Sequence, residues 1–136
     1  MATEIAFMWF CEPWRRRVGP ERLVMLGGVA ALVRWTAFAF SPPLWLLFPL
    51  QALHALSFAA VFMGGLKLIE RTAPPGSASA AQTISSAFAG GLVIGLVTVG
   101  AGPLFDTFGA LGYLSMSAVA LVGLAGAWGL AREARR

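Results

Sequence analysis

Four long apolar runs, Leu23–Phe40, Leu44–Leu66, Ala80–Leu104 and Ala110–Ala131, constrain this chain more than any other feature. Each is close to the ~20 residues that an α-helix needs to cross ~30 Å of hydrocarbon. A shorter run, Ile5–Trp14, precedes them. The breaks carry the punctuation of membrane loops: Arg15-Arg16-Arg17 with Gly19-Pro20, Ser41-Pro42-Pro43, Pro74-Pro75-Gly76, and Pro103 with Asp106 and Gly109. Hydrophobic residues make up 58% of the 136 and charged residues only 12%, whereas a soluble domain is about a quarter charged. A water-soluble fold of this size hides only about 60–70% of what its unfolded chain exposes, so it would carry large apolar patches. Lipid permits only helices or closed barrels, and continuous rather than alternating runs exclude the barrel. The expected fold is all-α and integral to the membrane, with helices at about 2–14, 23–40, 44–66, 80–104 and 110–131, the first one shortened.

The opening segment is not expected to be a signal peptide. Glu4 stands where a positive region belongs, and the arginines follow the apolar run instead of preceding it. It reads as a span whose N-terminal end is missing or shortened, so that the chain begins inside a longer protein.

Basic residues set the expected orientation. Arg15, Arg16, Arg17 and Arg22 share one loop, Lys67 and Arg71 lie two crossings later, and Arg132, Arg135 and Arg136 close the tail. The connections around Pro42 and Asp106 hold no basic residue, which predicts a multi-pass inner-membrane protein with a cytoplasmic C-terminus. The pI of about 10.7 is thus topological charge, and nucleic acid is no expected partner, because the arginines flank loops instead of forming a face. Cys11, the single cysteine, leaves no internal disulfide and no metal spacing. With no nucleophile elbow, paired metal-binding histidines or phosphate-cradling glycine loop, neither an enzyme nor a cofactor is expected.

Polar residues within the spans carry the functional signal. An ionisable group in hydrocarbon costs roughly 2.5–3.5 kcal/mol on insertion scales, so it normally faces a wet or protein interior and has a partner. Glu4, Arg34 and His54 are such groups. At ~1.5 Å per residue, Glu4 lies about 15 Å from the Trp14 end of its helix, His54 about as far from Leu44, and Arg34 about 9 Å from Phe40. Gln51, His54 and Ser57 recur every third residue and project roughly from one side of one helix. Interhelical hydrogen bonding is the alternative use for Gln51 and Ser57. Arg34 and His54 favour function, since arginine keeps its charge and histidine titrates near neutrality. Ala87, Gly91 and Gly95 on one helix and Gly123, Gly126 and Gly129 on the last are spaced for close helix packing.

The stretch Glu12-Pro13-Trp14-Arg15-Arg16-Arg17-Val18-Gly19-Pro20-Glu21-Arg22-Leu23 resembles the cytoplasmic loop that the major facilitator superfamily places between the second and third helices of each half. Val33-Arg34-Trp35 and Leu50-Gln51-Ala52-Leu53-His54-Ala55-Leu56-Ser57-Phe58 are similar to the ninth and tenth helices of the branch holding phenylpropionate permease-like proteins and, more distantly, lactose permease. Ala81-Gln82 and Gly102-Pro103-Leu104-Phe105-Asp106-Thr107-Phe108-Gly109 fit the eleventh helix and its outer turn. The resemblance implies the C-terminal portion of a major facilitator bundle, with Arg34, His54, Gln51, Ser57 and Glu4 around a substrate and proton cavity, and Arg15, Arg16, Arg17, Gly19 and Arg22 in the loop motif. Where lactose permease has a carboxylate one turn after the histidine this chain has Ser57, and where it has a lysine one turn before, this chain has Gln51. The phenylpropionate-like branch therefore fits better.

A complete transporter of this fold has two six-helix bundles with the site between them. The chain is thus expected to be a fragment, a mis-started frame or one piece of a split protein, partnered by a missing N-terminal half, the lipid bilayer, a small solute and protons. The expected function is secondary transport of a small organic solute such as an aromatic acid. The alternative is a non-transporting membrane protein that binds or regulates a partner through its helix faces.

Overall fold

The computed structural model describes residues 18–133. The expected first helix, with Glu4 and Arg15 to Arg17, lies outside them. Helix α1 spans Pro20–Ala39. Its start is local: extended Gly19 precedes Pro20 in the first turn, whose missing N–H costs nothing there, and Glu21 follows where the helix dipole favours an acid. Its end is set by Ser41 at φ 49° before the two prolines.

Helix α2 spans Leu44–Thr72, 29 residues, and runs past the apolar run through Lys67, Glu70 and Arg71. At ~1.5 Å per residue it is longer than a ~30 Å hydrocarbon core, long enough for its basic end to reach the headgroups. Pro49 sits inside it.

After a turn at Pro74–Ser77, α3 (Ala78–Ser86) passes through a π-helical segment, Ala87–Val93, into α4 (Ile94–Phe108) with helical backbone at both junctions. Gly109 then takes φ 57°, a left-handed conformation that suits glycine, and breaks the rod. A short 3₁₀ turn, Gly109–Tyr113, leads into α5, Leu114–Glu133. The fold is all-α, and its three helical stretches, Pro20–Ala39, Leu44–Thr72 and Ala78–Glu133, are long and apolar enough to cross a membrane.

Helix α1 is the central element, packed against both α2 and α5. The start of α1 meets the end of α2, where Arg71 donates to the Glu21 carboxylate; the pairing is antiparallel. Thr36 and Ser117 hydroxyls lie 3.1 Å apart, and Leu124 packs on Gly28, so α5 is antiparallel to α1 as well. Arg22, Lys67, Arg71 and Arg132 consequently gather at one end of the bundle, while Ser41 and Gly109 mark the other.

Close approach of α1 and α2 depends on two glycines. A Cβ on Gly27 would sit 2.5 Å from Val61 Cγ2 and 2.8 Å from the Ser57 carbonyl, and one on Gly64 2.7 Å from Val24 Cγ2 and 2.9 Å from the Pro20 carbonyl. The glycines singled out on later helices differ. Among the described residues an added Cβ on Gly91, Gly95, Gly123, Gly126 or Gly129 meets nothing within 4 Å, and α3 to α4 buries no residue and leans on the bundle only at its ends. Gly27→Leu is therefore expected to destabilise the α1–α2 hairpin by about 1–3 kcal/mol, the usual cost of overpacking, whereas Gly126→Leu should leave it unchanged. Thermal unfolding in detergent, followed by circular dichroism, checks the contrast.

Candidate functional site

Seven residues along α1 from Gly27 is Arg34, and seven back along α2 from Val61 and Ser57 are His54 and Leu50. With the antiparallel register fixed at Gly27, Arg34 stands at the level of His54 and Leu50. Leu50 is buried, and Arg34 is only 9% exposed.

The guanidinium carbon of Arg34 lies 4.3 Å from the Trp35 ring centroid and 5.9 Å from that of Phe38. Such contacts soften desolvation of a cation by about 0.5–2 kcal/mol. They do not replace an anion. Its Nε is buried without a hydrogen bond among the described residues. Arginine cannot shed its proton to escape the cost of burial, so a negatively charged group beside it would be favourable.

His54 is half-buried, with its ring 6.3 Å from that of Phe58, and its carbonyl accepts from the Ser57 hydroxyl at 2.9 Å. Ser57 is itself buried, and its backbone carbonyl faces Gly27. Gln51 is exposed. The three do not form one flush stripe, since steps of three residues fall about 60° short of a full helical turn each time and leave Gln51 about 120° from Ser57. Of the loop motif, Gly19 caps α1 and Arg22 is exposed. Glu4, Arg15, Arg16 and Arg17 lie outside the described residues. No group of three His, Cys, Asp or Glu side chains with metal-binding proximity occurs among the described residues.

Two features are not anticipated by the sequence reading. One is the Glu21–Arg71 pair, formed by a carboxylate only 11% exposed and a guanidinium 54% exposed. The signal was an acid in the first turn of one helix and a base in the last turn of the next. The other is a cluster of rings at the far end. Tyr113 stacks on Trp35 at 5.7 Å and packs at 5.8 Å from Phe38 and 5.9 Å from Phe105. It ties the α4–α5 corner to the residue that carries Arg34 on its ring.

Against known proteins, the model of the MFS_1 like family matches residues 1–115. The chain belongs to the MFS_1-like family. Among curated relatives of this MFS_1-like chain is the uncharacterised transporter YwbF of Bacillus subtilis, 26% identical over 120 residues, which are 88% of this chain and 29% of the relative. Another is a maltose permease of Geobacillus stearothermophilus, 30% identical over 124 residues, 90% of this chain and 31% of that one. The MFS_1-like chain thus spans about a third of the length of these relatives. No solved structure matches it significantly. It is a multi-pass membrane protein of a transporter family.

Proposed function

We propose that this chain forms the C-terminal portion of a secondary active transporter, in the phenylpropionate permease-like branch, that moves a small organic solute such as an aromatic acid together with protons. The observation that carries this reading is Arg34, a permanent cation buried on aromatic rings in a membrane bundle, at the depth of His54. An anionic solute would meet its guanidinium, whose Nε has no hydrogen bond among the described residues, and neighbouring rings would favour an aromatic body. His54 would take and release the proton, with Gln51 and Glu4 as further polar groups of the cavity and Ser57 behind them. The maltose permease relative offers an uncharged sugar as solute; the buried guanidinium makes an anion the better partner. The opposite wall of the cavity would come from the N-terminal half of the transporter. The basic end would face the cytoplasm of an inner membrane, and with it the tail.

Two measurements test the assignment. A reporter fused after Arg136 is expected to be active in the cytoplasm, and activity only outside it overturns the orientation. Vesicles holding the chain alone should show no solute-driven proton flux, because half the cavity wall is contributed by other helices. Flux from a monomer would sink the two-bundle reading. The long unburied face of α3 to α4 supports a second reading, a membrane protein that binds a partner through its helices without transport. Seven further spans in frame upstream separate the two in favour of the transporter.

A further inference from the structure

Along the axis of α1, Arg34 lies only about 9 Å from the helix end at Phe40. An arginine that near the end of a membrane helix ordinarily runs its stem outward and puts its charge in water. Arg34 does not. It is 9% exposed, with its guanidinium carbon 4.3 Å from the Trp35 ring centroid and 5.9 Å from that of Phe38. Both rings stand on α1 itself, one beside Arg34 and one a turn beyond it. Unless another element packs against them, such rings are free to change rotamer and release the cation.

That packing comes from Tyr113. Its ring lies 5.7 Å from Trp35 at an interplanar angle of 21° and 5.8 Å from Phe38, while Trp35 and Phe38 are 6.1 Å apart. The three rings close a triangle, and two of its corners carry the guanidinium. Phe105 of α4 backs the third corner edge-on at 5.9 Å. Local backbone brings Tyr113 there: Gly109 at φ 57° turns the chain, and Gly112 sits so close to α4 that an added Cβ would be 3.1 Å from the Leu104 carbonyl oxygen. The hydroxyls of Thr36 and Ser117, 3.1 Å apart, join α1 to α5 beside the triangle.

We propose that Tyr113 is a positioning residue of the Arg34 site, holding the Trp35 and Phe38 rings so that the guanidinium stays inside the bundle, where a carboxylate can be gripped. It acts through the two rings and not on the solute. Each of its contacts is ring to ring, so the aromatic face carries the role and the hydroxyl does not. The inference rests on Arg34 as the solute-binding cation, and the test has one arm that does not.

The first arm uses this chain in phosphatidylcholine vesicles. The water-soluble reagent p-hydroxyphenylglyoxal modifies arginines that reach water, and mass spectrometry of the peptides reads the rate at each site. Tyr113→Leu should raise the rate at Arg34 about threefold or more, the scale of a lost aromatic contact. Tyr113→Phe should leave it unchanged. Tyr113→Met also removes the ring, and gives the same rise should Tyr113→Leu fail to insert. Arg71, paired with Glu21 at the other end of the bundle, should react alike in every variant, because the effect is local to the triangle. A rate at Arg34 that neither Tyr113→Leu nor Tyr113→Met alters overturns the proposal. So does an equal rise at Arg71, which would mean a loosened bundle, or an equal rise with Tyr113→Phe, which would assign the effect to the hydroxyl. The second arm measures benzoate uptake by the assembled transporter. Tyr113→Leu should raise KM about three- to tenfold with the maximal rate within about twofold, and Tyr113→Phe should restore it. Faster modification of Arg34 with an unmoved KM would leave Tyr113 as its positioning residue and overturn Arg34 as the solute-binding cation.

Discussion

Arg34→Lys in the assembled transporter is expected to weaken uptake of carboxylate solutes by about 10- to 100-fold, mainly as a rise in KM. The charge is kept, so the test isolates geometry. A guanidinium presents parallel donors that can hold both oxygens of a carboxylate, and an ammonium replaces this fork with a point charge. Losing one charge-assisted hydrogen bond of about 1.5–3 kcal/mol corresponds to that range of affinity. Lysine would also lose the flat contact with Trp35, whose ring centroid lies 4.3 Å from the guanidinium carbon. The measurement is initial-rate uptake of a radiolabelled panel of aromatic carboxylates, aliphatic carboxylates and maltose. An unchanged KM for every carboxylate would make Arg34 a packing residue held by its rings. Loss of maltose uptake alone would move the solute class to sugars.

Arg34 was legible because a charge inside an apolar run has few places to go, and the chain buries it on α1 as that logic requires. Helix breaks were legible for equally local reasons, although the ends differ: the helix expected from Leu23 begins at Pro20, and the one expected to stop at Leu104 runs to Phe108. Pro20 after Gly19 starts α1, and prolines stand just beyond the ends of α1 and α2. What failed to show was anything that depends on which faces meet. Gly27 and Gly64 carry the close contact of α1 and α2, while Gly91 and Gly95 touch nothing beyond their own helix; spacing alone cannot tell them apart, since a small residue marks only the capacity for close approach. Trp35 and Tyr113 stack across a separation that no periodicity spans. The end of α2 was read short because hydropathy stops at the first charges, whereas the helix continues through Lys67, Glu70 and Arg71 to place the partner of Glu21.

That pair also bears on how the bundle moves. The Glu21–Arg71 contact joins the basic ends of α1 and α2, and the glycine contacts at Gly27 and Gly64 join their lengths. Arg34 and His54 are therefore carried on two helices joined along their lengths, and on the proposed function the two helices would move as one body. Rocking of that body against the opposite bundle would expose both residues to one side and then the other without changing their separation, which is what coupled binding of a solute and a proton requires.

His54→Gln is expected to abolish uphill accumulation of solute while leaving exchange across the membrane within about twofold of the unsubstituted transporter, a change too small to signal lost binding. An imidazole ordinarily titrates at about pH 6.5, inside the range across which an inward proton gradient operates, and glutamine keeps a donor and an acceptor but cannot titrate. The backbone part of the site survives the exchange, since the His54 carbonyl, which accepts from Ser57, is retained. The separation of the two activities is the diagnostic feature. Exchange needs only a loaded carrier that reorients, whereas accumulation needs the unloaded carrier to return with its proton bound or released according to side. Counterflow in vesicles without a gradient measures the first, and uptake driven by an imposed pH difference measures the second. Loss of both would make His54 a solute-binding or structural residue. Retention of both would move the coupling site away from α2, with Glu4→Gln the next substitution to measure.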